Sequence, residues 1–329
     1  MRQYLALPNF NKEPLCFGNV TCWGAALAVM SLQTLAAAPQ VKTPAPGFYR
    51  IMLGSYEVTV LSDGIIRLPV DKLLLNSSPK QVETALAEHH QKLPLATSVN
   101  AYLINTGSKL VLIDTGAGKL LGGGLGKLIA NLKVAGYQPQ QVDEIYLTHL
   151  HPDHLGGLSQ NGKAVFPNAV VRASQQDADF WLSESRLKQA KSEDKASFER
   201  AMAAIKPYQA AGNFKSFASD GELSEGISAF AAHGHTPGHS IYLVESQGKK
   251  LLVIGDLIHV AAVQLPDPRV AISFDSDAKA AVAQRLRVFS DSARQSVLVG
   301  AAHLSFPGLG YLNQQGEGYN WVPLDYGTL

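Results

Sequence analysis

The sequence predicts a mixed α/β (α+β) chain in which two β-sheets pack face to face and helices cover their outer sides. Strand-type segments dominate both halves of the chain, and each half also contains helical segments that can close a sheet. Of the 329 residues, 46% are hydrophobic and only 17% are charged, which is enough apolar material for a large core. No repeat and no linker divides residues 48–329, so we expect one domain there.

Short strands separated by turn signals make up most of the first half. The Ser-Asp-Gly segment at 62–64 is expected to turn the chain between two strands. Pro79 is expected to open a helix that reaches residue 91, because its missing N–H costs nothing in the first turn. The glycine-rich segment 116–126 leads into a second helix that ends near residue 136. The predicted strands of this half are 49–53, 57–61, 65–70, 98–105, 109–114 and 143–147.

The second half repeats this arrangement, with strands followed by helices. Two helices lie around a polar connection, and a longer helix precedes what we expect to be the final strand, 296–300. The other predicted strands are 169–173, 227–232, 240–245 and 250–254, and the predicted helices are 175–183, 193–204 and 276–290.

Residues 1–38 are expected to be a signal peptide that is removed. An apolar run of signal-peptide length ends in three alanines at 36–38, which is the small-residue pattern that precedes cleavage. A membrane-anchoring or amphipathic helix is the alternative, although the run is short for a membrane span. Cleavage would leave residues 39–47 as a flexible leader, would remove both cysteines, Cys16 and Cys22, and would place the mature protein in the periplasm or outside the cell, with no membrane attachment.

The charge balance argues against a nucleic-acid partner. Lys and Arg number 28 and Asp and Glu number 27, so the formal net charge is +1, whereas nucleic-acid binders need a basic surface. We therefore expect a small-molecule substrate.

Metal-ligand chemistry is concentrated in the segment that follows the predicted strand 143–147. His149, His151, Asp153 and His154 stand within six residues. His149 and His151 point the same way on extended backbone, and Pro152 is expected to prevent a regular helix or strand beyond them. Imidazole nitrogens and a hard carboxylate are what two adjacent cations need, so the segment predicts a metal centre.

Three later strand ends also carry ligand-type residues. His235 lies in a histidine-rich segment, 233–239, while Asp256 and His303 each follow an apolar strand. Each of these alone is more often a turn residue or a hydrogen-bonded histidine than a ligand. Four such strand ends in one chain point to a shared site. His233 and His239, which flank His235, are expected to support the site rather than bind metal.

These motifs, HxHxDH at 149–154, GHTPGH at 234–239, the Gly-Asp pair and the last histidine, resemble the metallo-β-lactamase superfamily of hydrolases. Residues 47–322 further resemble methyl parathion hydrolases and the related dihydrocoumarin-type lactonases. The resemblance implies a four-layer αββα sandwich, a homodimer and two divalent ions, with zinc expected first and manganese, cobalt or a mixture as alternatives. It also implies the ligands: one ion on His149, His151 and His235, the other on Asp153, His154 and His303, with Asp256 bridging them.

Two such ions can share a water whose pKa falls to near neutrality, and the resulting metal-bridging hydroxide can attack a carbonyl carbon or phosphorus. Asp256 and Asp153 are therefore the predicted catalytic carboxylates, and Asp153 can also pass a proton to the leaving group. Asp114, at the end of the strand 109–114, is expected to orient a ligand imidazole. No G-x-S-x-G motif supports a serine nucleophile.

The predicted substrate-binding residues are inferred from the same resemblance. His259 is expected to contact a leaving group, and bulk at Phe274 and Ile272 is expected to narrow the cleft. The set is Leu73, Trp181, Phe198, His259, Ile272 and Phe274. It favours an aryl lactone or ester, dihydrocoumarin-like, with phosphotriester hydrolysis as a side activity. The alternatives are methyl parathion hydrolysis as the main activity, an acyl-homoserine lactonase, a single-iron oxidoreductase, or a metal-binding protein without activity.

Overall fold

Within residues 38–218 and 220–327, which the computed structural model describes, two seven-stranded sheets form the centre of the fold. The first sheet consists, in spatial order, of β1 (Phe48–Leu53), β2 (Tyr56–Leu68), β4 (Leu95–Asn105), β5 (Leu110–Ile113), β6 (Glu144–Tyr146), β9 (Val170–Ser174) and β10 (Phe214–Phe217). The second consists of β11 (Gly221–Ser224), β12 (Ile227–Ala231), β13 (Ser240–Ser246), β14 (Lys249–Val253), β16 (Leu298–Gly300), β17 (Leu309–Gln315) and β18 (Gly318–Pro323). Two short ladders pair β3 (Leu74–Leu75) with β15 (Ala271–Ile272) and β7 (Ser159–Gln160) with β8 (Lys163–Ala164).

Helices cover both outer faces of the two sheets. They are α1 (Val70–Leu73), α2 (Pro79–Glu88), α3 (Leu128–Val134), α4 (Pro152–Leu155), α5 (Gln175–Trp181), α6 (Glu184–Gln189), α7 (Ser192–Ala210), α8 (Ala261–Gln264) and α9 (Ala278–Gln295). The predicted start of α2 is confirmed: Ser78 and Gln81 form a reciprocal capping pair, and Pro79 occupies the first turn. Among the described helices, none combines the length and the apolar character that crossing a bilayer requires.

The core is divided into layers by the alternation of side chains along the strands. On β4, Tyr102 and Ile104 face the second sheet, whereas Leu103 packs under the helices of the first. On β13, Tyr242 faces the first sheet and its hydroxyl donates to the carbonyl of Leu147 at 2.6 Å, while Ile241 packs on the side of α9. Both faces of each sheet are buried, and the predicted αββα sandwich is confirmed.

Local structure differs from the sequence-based expectation where a tertiary contact decides it. Residues 62–64 do not turn the chain, because β2 runs through them with a bulge at Gly64. Asp63 accepts hydrogen bonds from two backbone N–H groups of the glycine-rich segment and from that of Leu128 at the start of α3. Gly64 has φ +125°, and a Cβ there would lie 2.1 Å from the carbonyl oxygen of Gly124. Pro152 begins the short helix α4 rather than excluding one, because proline fits a first helical turn. The strand 298–300 is not the last, since the hairpin of β17 and β18 follows it.

Residues 45–329 form one compact unit. Residues 39–46 are exposed and have no regular helix or strand. The predicted signal peptide lies outside the described residues apart from Ala38.

Candidate metal centre

Side chains of the predicted site converge because the segments that carry them leave the two sheets at one edge. β5, β6 and β9 are parallel in the first sheet, and β14 and β16 are parallel in the second, so their carboxyl ends meet. The residues in question follow β5, β6, β12, β14 and β16, namely Asp114, the segment 149–154, His235, Asp256 and His303. Ligand positions at the carboxyl ends of parallel strands are typical of α/β architectures.

The structure brings all seven predicted metal ligands together in two groups. Donor atoms of His149, His151, His235 and Asp256 lie within 4.8 Å of one another, as do those of Asp153, His154 and His303. Asp256 joins the groups, because its Oδ1 lies 3.1 Å from Nε2 of His154 and its Oδ2 lies 3.2 Å from Nε2 of His235. With metal–donor bonds of about 2.1 Å, two donors on one ion stand about 3.0–3.5 Å apart, so this spacing suits metal coordination.

In three of the histidines, the hydrogen-bond acceptor at Nδ1 determines that Nε2 faces the site. Nδ1 of His154 bonds to Asp114 at 2.8 Å, Nδ1 of His235 bonds to Asp275 at 2.9 Å, and Nδ1 of His303 bonds to the carbonyl of Ser98 at 2.9 Å. These acceptors bind the Nδ1 proton, so Nε2 points inwards and is the nitrogen that a metal would bind in place of a second proton. The expectation for Asp114 therefore agrees with the geometry.

Several buried polar atoms in the cluster lack hydrogen bonds among the described residues. They include Nε2 of His149, Nε2 of His154 and Oδ1 of Asp256. The last two lie 3.1 Å apart without hydrogen-bond geometry, and Nδ1 of His151 lies 3.0 Å from Nε2 of His235. Two acceptor atoms that face each other in a buried place need a proton or a metal ion between them. The residues present therefore fit a pair of metal ions.

Electrostatics in the cluster follow from burial and from the carboxylates. Burial, reinforced by neighbouring imidazoles, lowers the pKa of both His149 and His151 well below the usual value, so these rings are neutral. Burial opposes charge on His235, but hydrogen bonds with Asp256 and Asp275 raise its pKa to about 9. Burial also disfavours the carboxylate of Asp256, yet the surrounding histidines, His154 first, hold its pKa well below the usual range.

Two carboxylates and one histidine that position the site were missed or only partly anticipated. Asp177 is buried and accepts from the N–H groups of Leu150 and Gly238, at 2.9 and 2.6 Å, so it ties both histidine-rich segments together. In the sequence Asp177 reads as an ordinary acidic residue in the first turn of α5. Asp275 carries no motif at all. His239 accepts from the N–H of Asp256 at 3.0 Å, consistent with the supporting role expected for it.

Gly255 allows this approach between His239 and Asp256. Its φ is +51°, and a Cβ there would lie 2.6 Å from Nε2 of His239 and 3.0 Å from Cβ of Thr148. Glycine is therefore required both by the backbone conformation and by the close contact.

A cleft of about 710 Å³ opens over the cluster. Trp181 and Phe198 form one wall, with ring centroids 4.7 Å apart, and the Trp181 ring lies 5.2 Å from that of His151. Phe274, which is 38% exposed, lies on the cleft as well. Asp153, His259 and His303 also line it.

Three of the predicted substrate-binding residues are placed differently from the expectation. Ile272 is fully buried in the ladder with β3, and Leu73 packs against the same apolar cluster; neither lines the cleft. Bulk at Ile272 therefore cannot narrow the opening. His259 does line the cleft, but its Nε2 lies 3.1 Å from Oδ2 of Asp256 and its Nδ1 is buried, so the ring faces the cluster rather than a leaving group.

Solved structures similar to this chain include two with high coverage. A hydrolase named AbOPH, of the beta lactamase superfamily, is 37% identical, with 87% of this chain and all of the other covered at a TM-score of 0.83. The dizinc quorum-quenching lactonase AidC, solved with the product N-hexanoyl-L-homoserine, is 29% identical, with 86% and 99% covered at a TM-score of 0.80.

Sequence relatives match shorter stretches. A ribonuclease of Thermus thermophilus is 30% identical over 176 residues, 51% of this chain and 37% of the relative. An N-acyl homoserine lactonase of a Bacillus species is 31% identical over 130 residues, 39% of this chain and 44% of the relative. The chain thus spans about two fifths of the length of these two relatives.

The profile of the metallo-beta-lactamase superfamily matches residues 95–297, which is more than half of the chain. That stretch contains every side chain of the two donor groups except His303. With two facing sheets and converging donor groups at their shared edge, the chain belongs to the metallo-beta-lactamase superfamily.

Proposed function

We propose that the protein is a binuclear metal-dependent hydrolase that opens aryl lactones and cleaves aryl esters of the dihydrocoumarin type. One observation carries the proposal: two groups of metal donors share Asp256 beneath a cleft with aromatic side chains. In this proposal His149, His151 and His235 would hold one ion, Asp153, His154 and His303 would hold the other, and Asp256 would serve both.

The donor set suits two divalent ions, with zinc as the first choice and manganese, cobalt or a mixture as alternatives. When bound, such a pair supplies Lewis acidity and lowers the pKa of water to near neutrality. Partner groups behind the rings of His154, His235 and His303 keep their Nε2 atoms aimed at the site, so little reorganisation is needed when the ions bind.

Asp153 has a second role because it is the most accessible carboxylate of the cluster. Its side chain is 19% exposed and lines the cleft, whereas that of Asp256 is 3% exposed. Its Oδ2 lies 3.5 Å from Nε2 of His303, at the boundary between the donor group and the substrate space. A carboxylate there can hold a proton and deliver it to the alkoxide or phenoxide that leaves.

The cleft wall supports an aromatic substrate. Trp181 and Phe198 present a rigid apolar wall beside His151, where a planar aryl ring can pack. Phe274 takes up space on the same cleft, which disfavours a tetrahedral phosphotriester more than a flat lactone. Phosphotriester hydrolysis is therefore proposed as a side activity.

An acyl-homoserine lactone is the second candidate substrate. Support for it comes from the similarity to AidC and to the Bacillus lactonase, both of which are named for this class of lactone. The metal donors would act in the same way on either lactone, so the two candidates differ only in what the cleft accommodates.

A substrate panel tests the proposal. Metal-reconstituted protein would be assayed with dihydrocoumarin, phenyl acetate, methyl parathion, an acyl-homoserine lactone and a short RNA, beside an Asp256→Ala variant. We expect the highest kcat/KM on dihydrocoumarin, a lower value on methyl parathion, none on RNA, and loss of activity in the variant. A preference for the acyl-homoserine lactone would select the second candidate, and a preference for methyl parathion would make phosphotriesters the main substrate.

Metal counting separates hydrolase from oxidoreductase. Two equivalents of zinc, manganese or cobalt per chain support the proposal. One tightly bound iron with oxygen consumption would replace it by a single-iron oxidoreductase, and bound metal without turnover of any substrate would indicate a non-enzymatic member.

We further propose that residues 1–38 direct export to the periplasm or the medium and that the mature protein is a homodimer. The alanines at 36–38 support cleavage, and the dimer follows from the resemblance alone. N-terminal sequencing of the mature protein and sedimentation analysis test these two points.

A further inference from the structure

His259 lines the cleft and contacts Asp256, yet neither donor group above gives it a role. We propose that His259 is a further metal donor, binding through Nε2 the ion that His303 and Asp256 hold. The inference rests on the proposed metal centre and adds an eighth donor to the seven predicted from the motifs.

The position of the ring supports this role. Donor atoms of Asp256, His259 and His303 lie within 4.8 Å of one another. Nε2 of His259 lies 3.1 Å from Oδ2 of Asp256, and Nε2 of His303 lies 3.2 Å from the same oxygen. The rings of His259 and His303 stack, with centroids 5.0 Å apart and planes at 21°, so both Nε2 atoms approach the carboxylate in the same way.

Backbone contacts fix the segment that carries His259. The side chain of Gln264 accepts from the N–H of His259 at 2.8 Å and donates to the carbonyl of Val270 at 3.0 Å. Arg285, which is fully buried, donates to the carbonyls of Leu257 and Val270. The backbone that carries His259 is therefore held in place before any ion binds, and stacking on His303 restricts the ring itself, as a metal site requires of its ligands.

A hydrogen bond from Nε2–H of His259 to Asp256 is the competing role. His154, His235 and His303 each have an acceptor at Nδ1, which leaves Nε2 as the nitrogen for a metal, whereas Nδ1 of His259 has no partner among the described residues. The structure thus leaves either nitrogen of His259 free to carry the proton, and a substitution can separate the two roles. Glutamine retains a donor for Asp256 but is a poor ligand for zinc or cobalt, while leucine retains neither property.

The test measures metal binding in the absence of substrate. Full-length wild type, His259→Gln, His259→Leu and the control His89→Gln would be loaded with cobalt(II), and the visible absorption and competition with a chelator would be recorded. His89 is exposed at the end of α2 and lies outside the donor groups of the described residues. Circular dichroism and urea unfolding of the metal-free proteins would establish that each variant is folded.

We expect both His259 variants to change the cobalt spectrum. We also expect them to bind one of the two ions about 100-fold more weakly in the chelator competition, which is the upper end of the loss that removal of a supporting contact causes. The control should match wild type. If His259→Gln binds both ions like wild type while His259→Leu does not, His259 is only a hydrogen-bond donor and the inference is overturned. An equal loss in the control would overturn it as well. Wild type that binds no ion pair would instead refute the proposed function.

Discussion

Replacing Asp275 by asparagine is expected to weaken metal binding although Asp275 is not itself a proposed ligand. Its Oδ1 lies 2.9 Å from Nδ1 of His235, and its Oδ2 accepts from the N–H of Ile272 at 3.2 Å. An asparagine amide can satisfy only one of these two donors as an acceptor. If its NH₂ group faces His235, the proton of the ring is driven to Nε2, where the metal would bind.

The expected change in metal affinity combines two effects of opposite sign. Loss of a supporting carboxylate typically costs about 10–100-fold in metal affinity, or about 1.4–2.7 kcal/mol. Asp275 also helps Asp256 to raise the pKa of His235 to about 9 against the effect of burial. At pH 7 an ion must therefore displace a proton at a cost of about 2.7 kcal/mol. Without Asp275 this competition weakens, which offsets part of the loss at pH 7 but little of it at pH 9.

The assay is a chelator competition with cobalt or zinc at pH 7 and pH 9. We expect the ratio of wild-type to Asp275→Asn affinity to be about 10–100 at pH 9 and smaller at pH 7. Asp267→Asn is the control, because that carboxylate is exposed, pairs with Arg269 and lies away from the cleft. Equal affinities of wild type and Asp275→Asn at pH 9, or the same loss in the control, would refute the reasoning.

Three further expectations concern the backbone, protons and the cleft. Gly255→Ala should lower the free energy of unfolding by about 1–3 kcal/mol more than Gly248→Ala in urea titrations. Both positions have positive φ, but only at Gly255 would a Cβ meet other atoms within 4 Å, so equal losses would exclude the clash. Ion binding at pH 7 should release at least one proton, because the pKa of His235 is about 9 and those of His154 and His303 are also raised; calorimetry in buffers of different ionisation enthalpy detects the release. Affinity should rise with pH up to about 9, and a flat profile between pH 6.5 and 9 would contradict this. In the metal-free protein the raised pKa of His235 stabilises the fold below pH 6.5, and this contribution is lost as the pH rises through 9. Phe274→Leu should raise the methyl parathion to dihydrocoumarin ratio of kcat/KM, and an unchanged or lower ratio would show that Phe274 does not limit the cleft.

Local patterns were sufficient for most of the sandwich. Apolar segments bounded by glycine, proline or polar residues predicted strands close to β4, β5, β13 and β14, because strands buried on both faces are continuously apolar. The same patterns failed for β17, LGYLNQQ, whose outer half is polar and exposed. They also failed at residues 62–64, where the pattern predicted a turn but the strand continues through a bulge that the hydrogen bonds of Asp63 stabilise.

Substrate-side residues were harder to place than the metal donors. Four of the donors occur in one short run and the other three follow predicted strands, so residue type and position already restrict where they lie. Ile272 and Leu73 were assigned from resemblance alone, and their burial depends on the β3–β15 ladder, which joins segments about 200 residues apart. The residues around each strand do not indicate that β3 and β15 pair.

By itself, the sequence determined the sandwich and the seven clustered donor residues. An apolar strand and a donor that directly follows it are both recognised from a few adjacent residues. Only the tertiary structure decided that Asp275 supports His235, that Asp177 joins the two histidine-rich segments, and that His259 faces Asp256. Each of these depends on the direction of one side chain after distant segments pack. A single aspartate or histidine looks the same in the sequence whether it orients a ligand, binds a metal or contacts water.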